Sequence, residues 1–266
     1  MAATVSILTV TQYSRRECML VLADLIQRQL YKTIAEWVIV EGSQTQAEAT
    51  ANEAYLFSQR EMQTLPFNIN YIPYNPFLGS QPRYLSELRN SGNNACRGDI
   101  IVCMDDDDYY PPTRISHAVD RLTSSSSDVL IAGCSRVYIY FYLTRTFFQS
   151  KGFGQGHSTN NCLAYKRAYL ETHAHEHALT RGEEPSFTNN FTEPMVQLDP
   201  LKTIVISGHG HNTVDKEPIC HSASSRFTEL IADTITDYIP LPILLKLEDI
   251  FDRMQMIKKL KCFSFN

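Results

Sequence analysis

Several features that would assign this chain to a familiar class are missing from its sequence. There is no run of about 20 uninterrupted apolar residues, so we expect no transmembrane helix. The chain does not start with a basic segment and an apolar core, so we expect no signal peptide. Its 7 cysteines include no C-x-x-C pair, which favours reduced thiols and a cytoplasmic location over a zinc site or a disulfide framework. A net charge of −5 argues against a nucleic-acid partner, which would require a basic surface.

What remains is an ordinary globular composition. The chain has 266 residues, of which 43% are hydrophobic and 20% are charged. This length fits one large α/β domain, or one domain with an extension.

The first half of the chain alternates between strand and helix patterns. We predict strands at residues 5–11, 37–40, 68–72 and 100–104, and helices that include 45–62, 81–96 and 113–122. Because the links are short, this alternation predicts a doubly wound, mostly parallel α/β sheet. Such sheets bind ligands at the carboxyl ends of their strands.

The second half has a more mixed pattern. The aromatic run 137–148 is predicted as one long strand, with shorter strands at 162–165 and 203–207. From about residue 224 the chain is predicted to be helical, ending in an amphipathic segment at 244–260. For that segment we prefer packing on its own domain to membrane binding, and a homodimer contact is a further possibility.

The most informative segment is the unbroken row Asp105, Asp106, Asp107 and Asp108, directly after an apolar strand. Two carboxylates about 4 Å apart repel by roughly 1 kcal/mol in water and roughly 4 kcal/mol at an effective dielectric near 20. A chain tolerates this cost when a cation lies among them, and carboxylate oxygens suit Mg²⁺ or Mn²⁺. A solvated acidic turn that caps the next helix is the alternative, but the strand end favours metal or phosphate chemistry.

Other motifs accompany the aspartates in a fixed order. They are Thr11 and Arg15 after the first strand, Glu41 after the second, Arg89 in a helix, Gly98-Asp99 before the fourth strand, Pro112 after the aspartates, and the later pair Glu183-Glu184. In this order they resemble the family 2 glycosyltransferases of the GT-A fold. The chain departs from the family pattern at Glu41, where aspartate is usual, and at Glu184, where the pair normally ends in aspartate.

The resemblance implies an inverting, metal-dependent glycosyltransferase. Such an enzyme moves a sugar from a nucleotide-diphosphate sugar, with a UDP-sugar favoured here, to a hydroxyl of a glycan or protein acceptor. It also implies a catalytic domain at residues 1–222, with a nucleotide-sugar half at 1–108 and an acceptor half at 109–222. A helical extension would follow at 223–266.

The resemblance also implies roles for the nucleotide-side residues. Asp107 would bind Mn²⁺ or Mg²⁺ directly, while Asp105 would hold the ribose or a metal-bound water. Asp106 belongs to the same nucleotide site, although Asp106 or Asp108 is also a candidate cap for the following helix. Thr11 and Arg15 would line the nucleotide pocket.

Glu41 and Arg89 would contact the nucleotide as well. The resemblance assigns Glu41 to the base or the ribose, and the alternative is an acid in a surface turn. Arg89 would reach the base or the diphosphate, since its guanidinium matches phosphate geometry. The alternative for Arg89 is a charge on the solvent-facing side of its helix.

Glu184 is our candidate for the general base that takes the proton of the acceptor hydroxyl, and Glu183 is the alternate. Both also suit the first turn of a short helix. His209 or His211 would complete the metal shell, although an unligated histidine is the commoner outcome. Residues His173, His175 and His177 are predicted to be solvated surface.

Two other functions remain open on the sequence alone. A sugar-phosphate nucleotidyltransferase shares the layout, but that class has a glycine-rich loop after its first strand, and residues 11–16 contain no glycine. A non-catalytic metal- or carbohydrate-binding module is the second alternative.

Overall fold

The computed structural model describes residues 2–75, 84–212 and 228–263, with side chains through residue 257. Helices and strands alternate in the first half, as predicted. In chain order they are β1 (Val5–Thr11), α1 (Arg16–Gln27), β2 (Ile34–Glu41), α2 (Gln46–Ser58), α3 (Arg60–Gln63), β3 (Asn68–Ile72), α4 (Leu85–Ala95), β4 (Ile100–Cys103) and α5 (Arg114–Ser124). The predicted start of the helix before β4, at residues 81–83, lies outside the described residues.

The remaining elements are shorter strands and two further helices. They are β5 (Ile131–Gly133), β6 (Tyr138–Phe141), β7 (Thr146–Ser150), β8 (Ala164–Lys166), α6 (Glu184–Phe187), β9 (Met195–Gln197), β10 (Val205–Gly208), β11 (Thr228–Leu230) and α7 (Leu241–Phe263). Short 3₁₀ turns include Tyr13–Arg15 and Asn160–Cys162.

The main sheet has 7 strands in the order β3-β2-β1-β4-β8-β5-β9. Strands β1 to β4 are mutually parallel, whereas β8 runs antiparallel to both β4 and β5. The structure therefore confirms the mostly parallel, doubly wound sheet. The carboxyl ends of β1, β2 and β4 lie side by side, which brings Thr11, Glu41 and the aspartate row to one edge.

A buried chain of hydrogen bonds fixes these three strands to one another. Trp37, fully buried in β2, donates its indole N–H to the hydroxyl of Thr9 in β1 at 2.9 Å. Thr9 in turn donates to the carbonyl of Met104 at 2.7 Å. Since a buried polar group is costly unless it is paired, this chain specifies how the strand end before Asp105 lies against β1.

Gly98 permits close contact at the turn that leads into β4. An added Cβ at Gly98 would lie 2.4 Å from the backbone nitrogen of Ser6, and its own N–H donates to the Ser6 hydroxyl at 2.8 Å. Only glycine fits where this turn crosses β1.

The second sheet corrects the predicted long strand at 137–148. Its order is β10-β6-β7-β11, and β6 and β7 form an antiparallel hairpin rather than one strand. The turn contains Arg145 at a φ of 51°, and the polar residues Thr144 and Arg145 interrupt the apolar run. An isolated bridge between Tyr109 and Val205 joins this sheet to the segment after the aspartates.

The C-terminal region also differs from the prediction in part. Residues 228–230 form β11, paired antiparallel with β7, rather than a helix. Helix α7 is present, and its buried face contains Ile243, Leu247 and Phe251 in one apolar cluster with Cys18 and Leu25 of α1. The preferred packing on its own domain is thus confirmed. The predicted domain boundary near residue 222 lies outside the described residues.

No helix among the described residues is long and apolar enough to span a membrane.

Candidate functional site

A cavity of about 280 Å³ opens at the carboxyl ends of β1 and β4. Its wall combines carboxylates, guanidinium groups and amides, drawn from both halves of the chain. The lining residues include Arg15, Arg89, Asp105, Asp107, Asp108, Asn160, Asn161, Arg181, Glu183, Glu184 and Asn212. Most of the predicted site residues therefore meet in one place.

The backbone around the aspartate row is held by buried groups. Arg114, fully buried in α5, donates to the carbonyls of Cys103 at 3.2 Å and Leu163 at 2.9 Å. The N–H of Asp105 donates to the hydroxyl of Tyr110 at 2.6 Å. These contacts fix the direction in which the chain leaves β4.

Asp108 has a structural role. Its carboxylate accepts hydrogen bonds from the Asn161 amide at 2.7 Å and from the backbone N–H of Ser207 at 2.8 Å. It therefore ties the aspartate row to β10 and to the 3₁₀ turn at Asn160–Cys162, and it does not cap the following helix.

Arg89 joins Asp105 to Glu183. Its Nε donates to Glu183 Oε1 at 2.7 Å, and its two terminal nitrogens face the two oxygens of Asp105 at 3.2 and 3.4 Å. Arg89 is 5% exposed, so the alternative of a solvent-facing helix charge is wrong. Its fork holds two carboxylates that are distant in sequence, as expected for bidentate charge-assisted pairing.

Arg15 pairs with the next two aspartates. Its Nη1 lies 2.7 Å from Asp107 Oδ2 and 3.1 Å from Asp106 Oδ1. Thr11 donates to the other oxygen of Asp106 at 2.8 Å. Thr11 and Arg15 thus contact the aspartate row, and Asp106 is buried. Their predicted place in a nucleotide pocket stays a prediction.

Asp106 is 2% exposed, and its carboxyl lies close to other charges. Burial raises the pKa of its carboxyl to about 7. The positive charge of Arg15 lowers this pKa, and the negative charge of Asp107 raises it further. Its Oδ1 has no hydrogen bond despite its distance to Arg15. A buried carboxyl in such surroundings either holds a proton or needs a cation beside it, and Arg15 supplies that positive charge here.

His209 follows β10 in a turn and points at the same oxygen as Arg15. Its Nε2 lies 3.0 Å from Asp107 Oδ2, and its ring stacks on Phe251 of α7 with centroids 4.2 Å apart. The backbone N–H of His211 donates to His209 Nδ1 at 3.2 Å. In the neutral ring the proton therefore lies on Nε2, facing Asp107, and it would have to move to Nδ1 before Nε2 could bind an ion.

His211 has a different partner. Its Nε2 lies 3.1 Å from the carbonyl of Met254 in α7, so it binds a main-chain acceptor there. The two histidines lie in the turn after β10 rather than on the strand, and His209 is the one whose ring faces Asp107. Metal binding by either histidine stays a prediction. The surface prediction is wrong for His175, which is 3% exposed and stacks on Phe187 at 4.2 Å.

The residues around Asp107 fit a divalent cation. Ligands at adjacent corners of an octahedral ion with bonds of about 2.1 Å are about 3 Å apart, and Asp107 Oδ2 and His209 Nε2 are 3.0 Å apart. In the described part of the chain, no group of three or more His, Cys, Asp and Glu side chains is arranged to hold an ion. Mg²⁺-type ions commonly take one or two carboxylates and complete their shell with substrate phosphates and water.

Glu184 and Glu183 differ in their surroundings. Glu183 is 2% exposed and bound to Arg89. Glu184 lines the cavity, and its Oε1 accepts from the backbone N–H of Asn160 at 3.1 Å. Burial, and then the charge of Glu183, raise the pKa of Glu184 above its usual range. Among the residues that the structure describes, Glu184 forms no ion pair, and a carboxyl with a raised pKa is the stronger base.

Glu41 has a buried side chain, and both of its carboxylate oxygens accept hydrogen bonds. It is 1% exposed, so the alternative of an acid in a surface turn is wrong. Its Oε1 accepts from the N–H of Ser43 at 2.7 Å, and its Oε2 accepts from Asn52 at 2.7 Å and Tyr71 at 2.6 Å. The predicted contact with the base or ribose stays a prediction, and the observed bonds organise the loop after β2.

We expect Glu41→Gln to lower the free energy of unfolding by about 1–3 kcal/mol, the cost of an unpaired buried group. An amide NH₂ in place of one carboxylate oxygen would face N–H or O–H donors. Chemical denaturation of both proteins measures the difference. A variant as stable as the natural chain would show that these hydrogen bonds are dispensable.

The sequence did not reveal several residues that shape this site. Arg114, Asn161 and Asn212 act through hydrogen bonds to main-chain carbonyls or to Asp107 and Asp108, and no motif marks such partners. Arg181 lines the cavity. Its position two residues before the acidic pair was a usable signal, because a basic residue beside candidate catalytic carboxylates suits an anionic ligand.

Comparison with known proteins identifies the fold. A mannosyltransferase from Pyrobaculum calidifontis, solved with GDP-Man and Mn²⁺, aligns with a TM-score of 0.55 and 15% identity over 80% of this chain and 59% of that one. S. aureus TarS 1-349 aligns with a TM-score of 0.51 and 15% identity over 77% of this chain and 60% of that one. The same protein with UDP-GlcNAc aligns with a TM-score of 0.50 and 12% identity over 79% and 60%. This chain therefore spans about 60% of the length of these relatives.

The sequence itself also matches a family. No curated protein matches it significantly, but the family described as "Glycosyl transferase family 2" matches residues 26–174. This range includes Glu41, Arg89 and the aspartate row, and it leaves Arg15, Glu184 and His209 outside. Because the match covers more than half of the chain and the sheet has the GT-A arrangement, the chain belongs to glycosyl transferase family 2.

Proposed function

We propose that this chain transfers a sugar from a nucleotide-diphosphate sugar to an acceptor hydroxyl, with a divalent cation and with inversion at the anomeric carbon. The observation that carries the proposal is a single cavity lined by Asp105 and Asp107 together with Glu184. The first two suit a cation and a diphosphate, and the third suits an acceptor hydroxyl. Family membership supports the same activity.

The nucleotide side of the proposal rests on two adjoining cavities. A smaller one, of about 120 Å³, is lined by Thr11, Gly42 and Gln44, and it shares Val10, Arg15 and Leu85 with the main cavity. We assign the nucleoside to the smaller cavity and the diphosphate to the main one. UDP is the favoured nucleotide, although both GDP-Man and UDP-GlcNAc occur in the structures of relatives.

Asp107 and His209 would hold Mn²⁺ or Mg²⁺, and Asp105 would hold the ribose or a water of the ion. When bound, the cation acts as a Lewis acid that offsets the charge developing on the diphosphate leaving group. Arg89 keeps Asp105 in place through its fork. Arg15 and Arg181 line the same cavity and would add positive charge beside the diphosphate.

Glu184 would act on the acceptor side. In inverting transfer, a carboxylate removes the proton of the attacking hydroxyl as its oxygen bonds to the anomeric carbon. The raised pKa of Glu184 supports this role, and the ion pair with Arg89 leaves Glu183 as the alternate.

The proposal keeps the predicted division into a nucleotide-sugar half at 1–108, an acceptor half at 109–222 and an extension at 223–266. The Asp107 ligand comes from the end of the first half, and Glu184 and His209 come from the second. The five cysteines with described side chains, Cys18, Cys96, Cys103, Cys134 and Cys162, are free and buried, which supports the proposed reducing, cytoplasmic compartment. The homodimer stays a prediction.

The proposal is tested by mixing the full chain with UDP- and GDP-sugars in the presence and absence of Mn²⁺. We expect one donor to raise the unfolding temperature and to be slowly hydrolysed, both only with the ion. A nucleotidyltransferase would instead form a nucleotide sugar from a nucleoside triphosphate and a sugar phosphate. A binding module would bind without turnover, and either result would overturn the proposal.

A further inference from the structure

The Arg15 guanidinium lies beside the Asp107 carboxylate, where the proposed divalent cation would bind. Its side chain is 14% exposed, and its Nη1 lies 2.7 Å from Asp107 Oδ2, the oxygen that also faces His209. A guanidinium at this distance from a buried carboxylate neutralises it as a bound ion would. The protein therefore carries its own positive charge on the proposed metal ligand.

A divalent cation that binds Asp107 through Oδ2 must compete with that guanidinium. Bringing a dication beside Arg15 without moving it would place like charges within a few ångströms, in a site with little solvent. Arg15 must therefore leave Asp107, and it needs another anionic partner when it does.

The structure offers Arg15 two such partners. Asp106 Oδ1 is already 3.1 Å from its Nη1 and remains beside it after a small displacement. The second partner is the substrate, because Arg15 lines both cavities assigned to the nucleotide. A guanidinium fork binds a phosphate through two parallel hydrogen bonds, so a diphosphate in the main cavity would attract it away from Asp107.

We propose that Arg15 is an internal counter-cation that blocks Asp107 until a nucleoside diphosphate draws it away, so that the divalent cation and the nucleotide bind cooperatively. This inference rests on the proposed function and adds a binding property to it. The ion binds weakly by itself and tightly when the nucleotide is also bound. By linkage, the ion must increase the affinity for the nucleotide by the same factor.

The size of the effect follows from the contact that is broken. A hydrogen bond to a charged group, when lost, changes an equilibrium constant by about tenfold to about a hundredfold. We therefore expect Arg15→Met to bind Mn²⁺ in the absence of nucleotide about tenfold or more tightly than the natural chain. The same variant should bind UDP less tightly, and the factor by which UDP raises its Mn²⁺ affinity should be about tenfold or more smaller than in the natural chain. The remaining gain comes from direct contacts between the phosphates and the ion.

Arg16→Met is the matched control. It removes the same charge from the neighbouring position, but the Arg16 guanidinium lies over the ring of Tyr13 at 4.2 Å and over that of Tyr55 at 5.1 Å. We expect its Mn²⁺ affinity without nucleotide to equal that of the natural chain, with the gain on adding UDP preserved. A gain in Mn²⁺ affinity equal to that of Arg15→Met would reduce the effect to net charge and overturn the inference.

The experiment is a titration of the full chain with Mn²⁺, followed by the electron paramagnetic resonance of the free ion, with and without UDP and with GDP as a second probe. Unfolding temperatures establish that each variant is folded. If Arg15→Met fails to fold, Arg15→Lys replaces it. Lysine keeps the charge beside Asp107 but lacks the fork, so weak Mn²⁺ binding should persist while the gain from UDP falls.

The outcomes separate the inference from the proposed function. If the natural chain binds Mn²⁺ with UDP but Arg15→Met gains no Mn²⁺ affinity without nucleotide, the inference is wrong and the proposed function stands. If the natural chain binds Mn²⁺ neither alone nor with UDP or GDP, both fail.

Discussion

Replacing Asp107 with alanine is expected to abolish sugar transfer and to remove the increase in unfolding temperature that Mn²⁺ and the donor nucleotide produce together. A cation that offsets charge on the leaving group contributes several kcal/mol, so the loss in kcat should be about a thousandfold or more. Steady-state rates and thermal unfolding of the two proteins measure both effects.

The fold should survive this substitution. Arg15 keeps Asp106 as a partner at 3.1 Å, and the strand end is held by Tyr110 and Arg114 rather than by Asp107. The matched control is Asp120→Ala, which removes an equal charge from the exposed side of α5 and should change neither rate nor binding. Full activity in the Asp107 variant would contradict the metal assignment.

Glu184→Gln is expected to lower kcat by about 10²–10⁴-fold, the usual contribution of a general base, while the affinity for the donor stays the same. The amide oxygen can still accept from the N–H of Asn160, but it cannot take the proton of the acceptor. Rates at saturating donor, together with a binding titration, distinguish the two effects.

The pH dependence gives an independent check on Glu184. Because burial and Glu183 raise the pKa of Glu184, activity should fall as pH decreases through a value above the usual glutamate range. The same shift stabilises the fold fully below the unfolded-state pKa, and this stabilisation is lost as pH rises through the folded-state pKa. Glu184→Gln should therefore be more stable than the natural chain at pH above that value, and the difference should vanish in acid.

Glu183→Gln serves as the comparison. It removes the carboxylate that binds Arg89 Nε at 2.7 Å, so we expect a loss of stability and a weaker hold on Asp105, with donor binding affected as well. If Glu183→Gln keeps donor binding and loses only turnover, the general base is Glu183 and not Glu184.

Local patterns were sufficient to predict much of the fold. Strands β1 and β3 begin and end where the sequence predicted. Strand β1 is a short apolar and β-branched segment, and β3 combines isoleucine and tyrosine with two asparagines. The run at 137–148 was harder, since its apolar residues continue on both sides of the turn and only Thr144 and Arg145 interrupt them. Strand β11 pairs with β7 far away along the chain, and such a contact leaves no local signal.

In the candidate site, too, local motifs were visible in the sequence, whereas contacts between residues far apart in the chain were not. The aspartate row and the pair at 183–184 were visible as motifs. The ion pair of Arg15 with Asp107 joins residues that are 92 positions apart, and the bond of Tyr71 to Glu41 joins residues that are 30 positions apart. Only the packed sheet brings these groups together, so the sequence could propose roles for Glu41 and Arg15 but not their partners.

The most direct measurement is an anomalous difference map from crystals grown with Mn²⁺ and a nucleoside diphosphate. We predict one strong peak beside the carboxylate of Asp107 and the ring of His209, with the diphosphate next to it and the Arg15 guanidinium displaced toward the phosphates. A map with nucleotide bound elsewhere, or with no peak beside Asp107, would contradict the proposal that this cavity is a nucleotide-sugar transferase site.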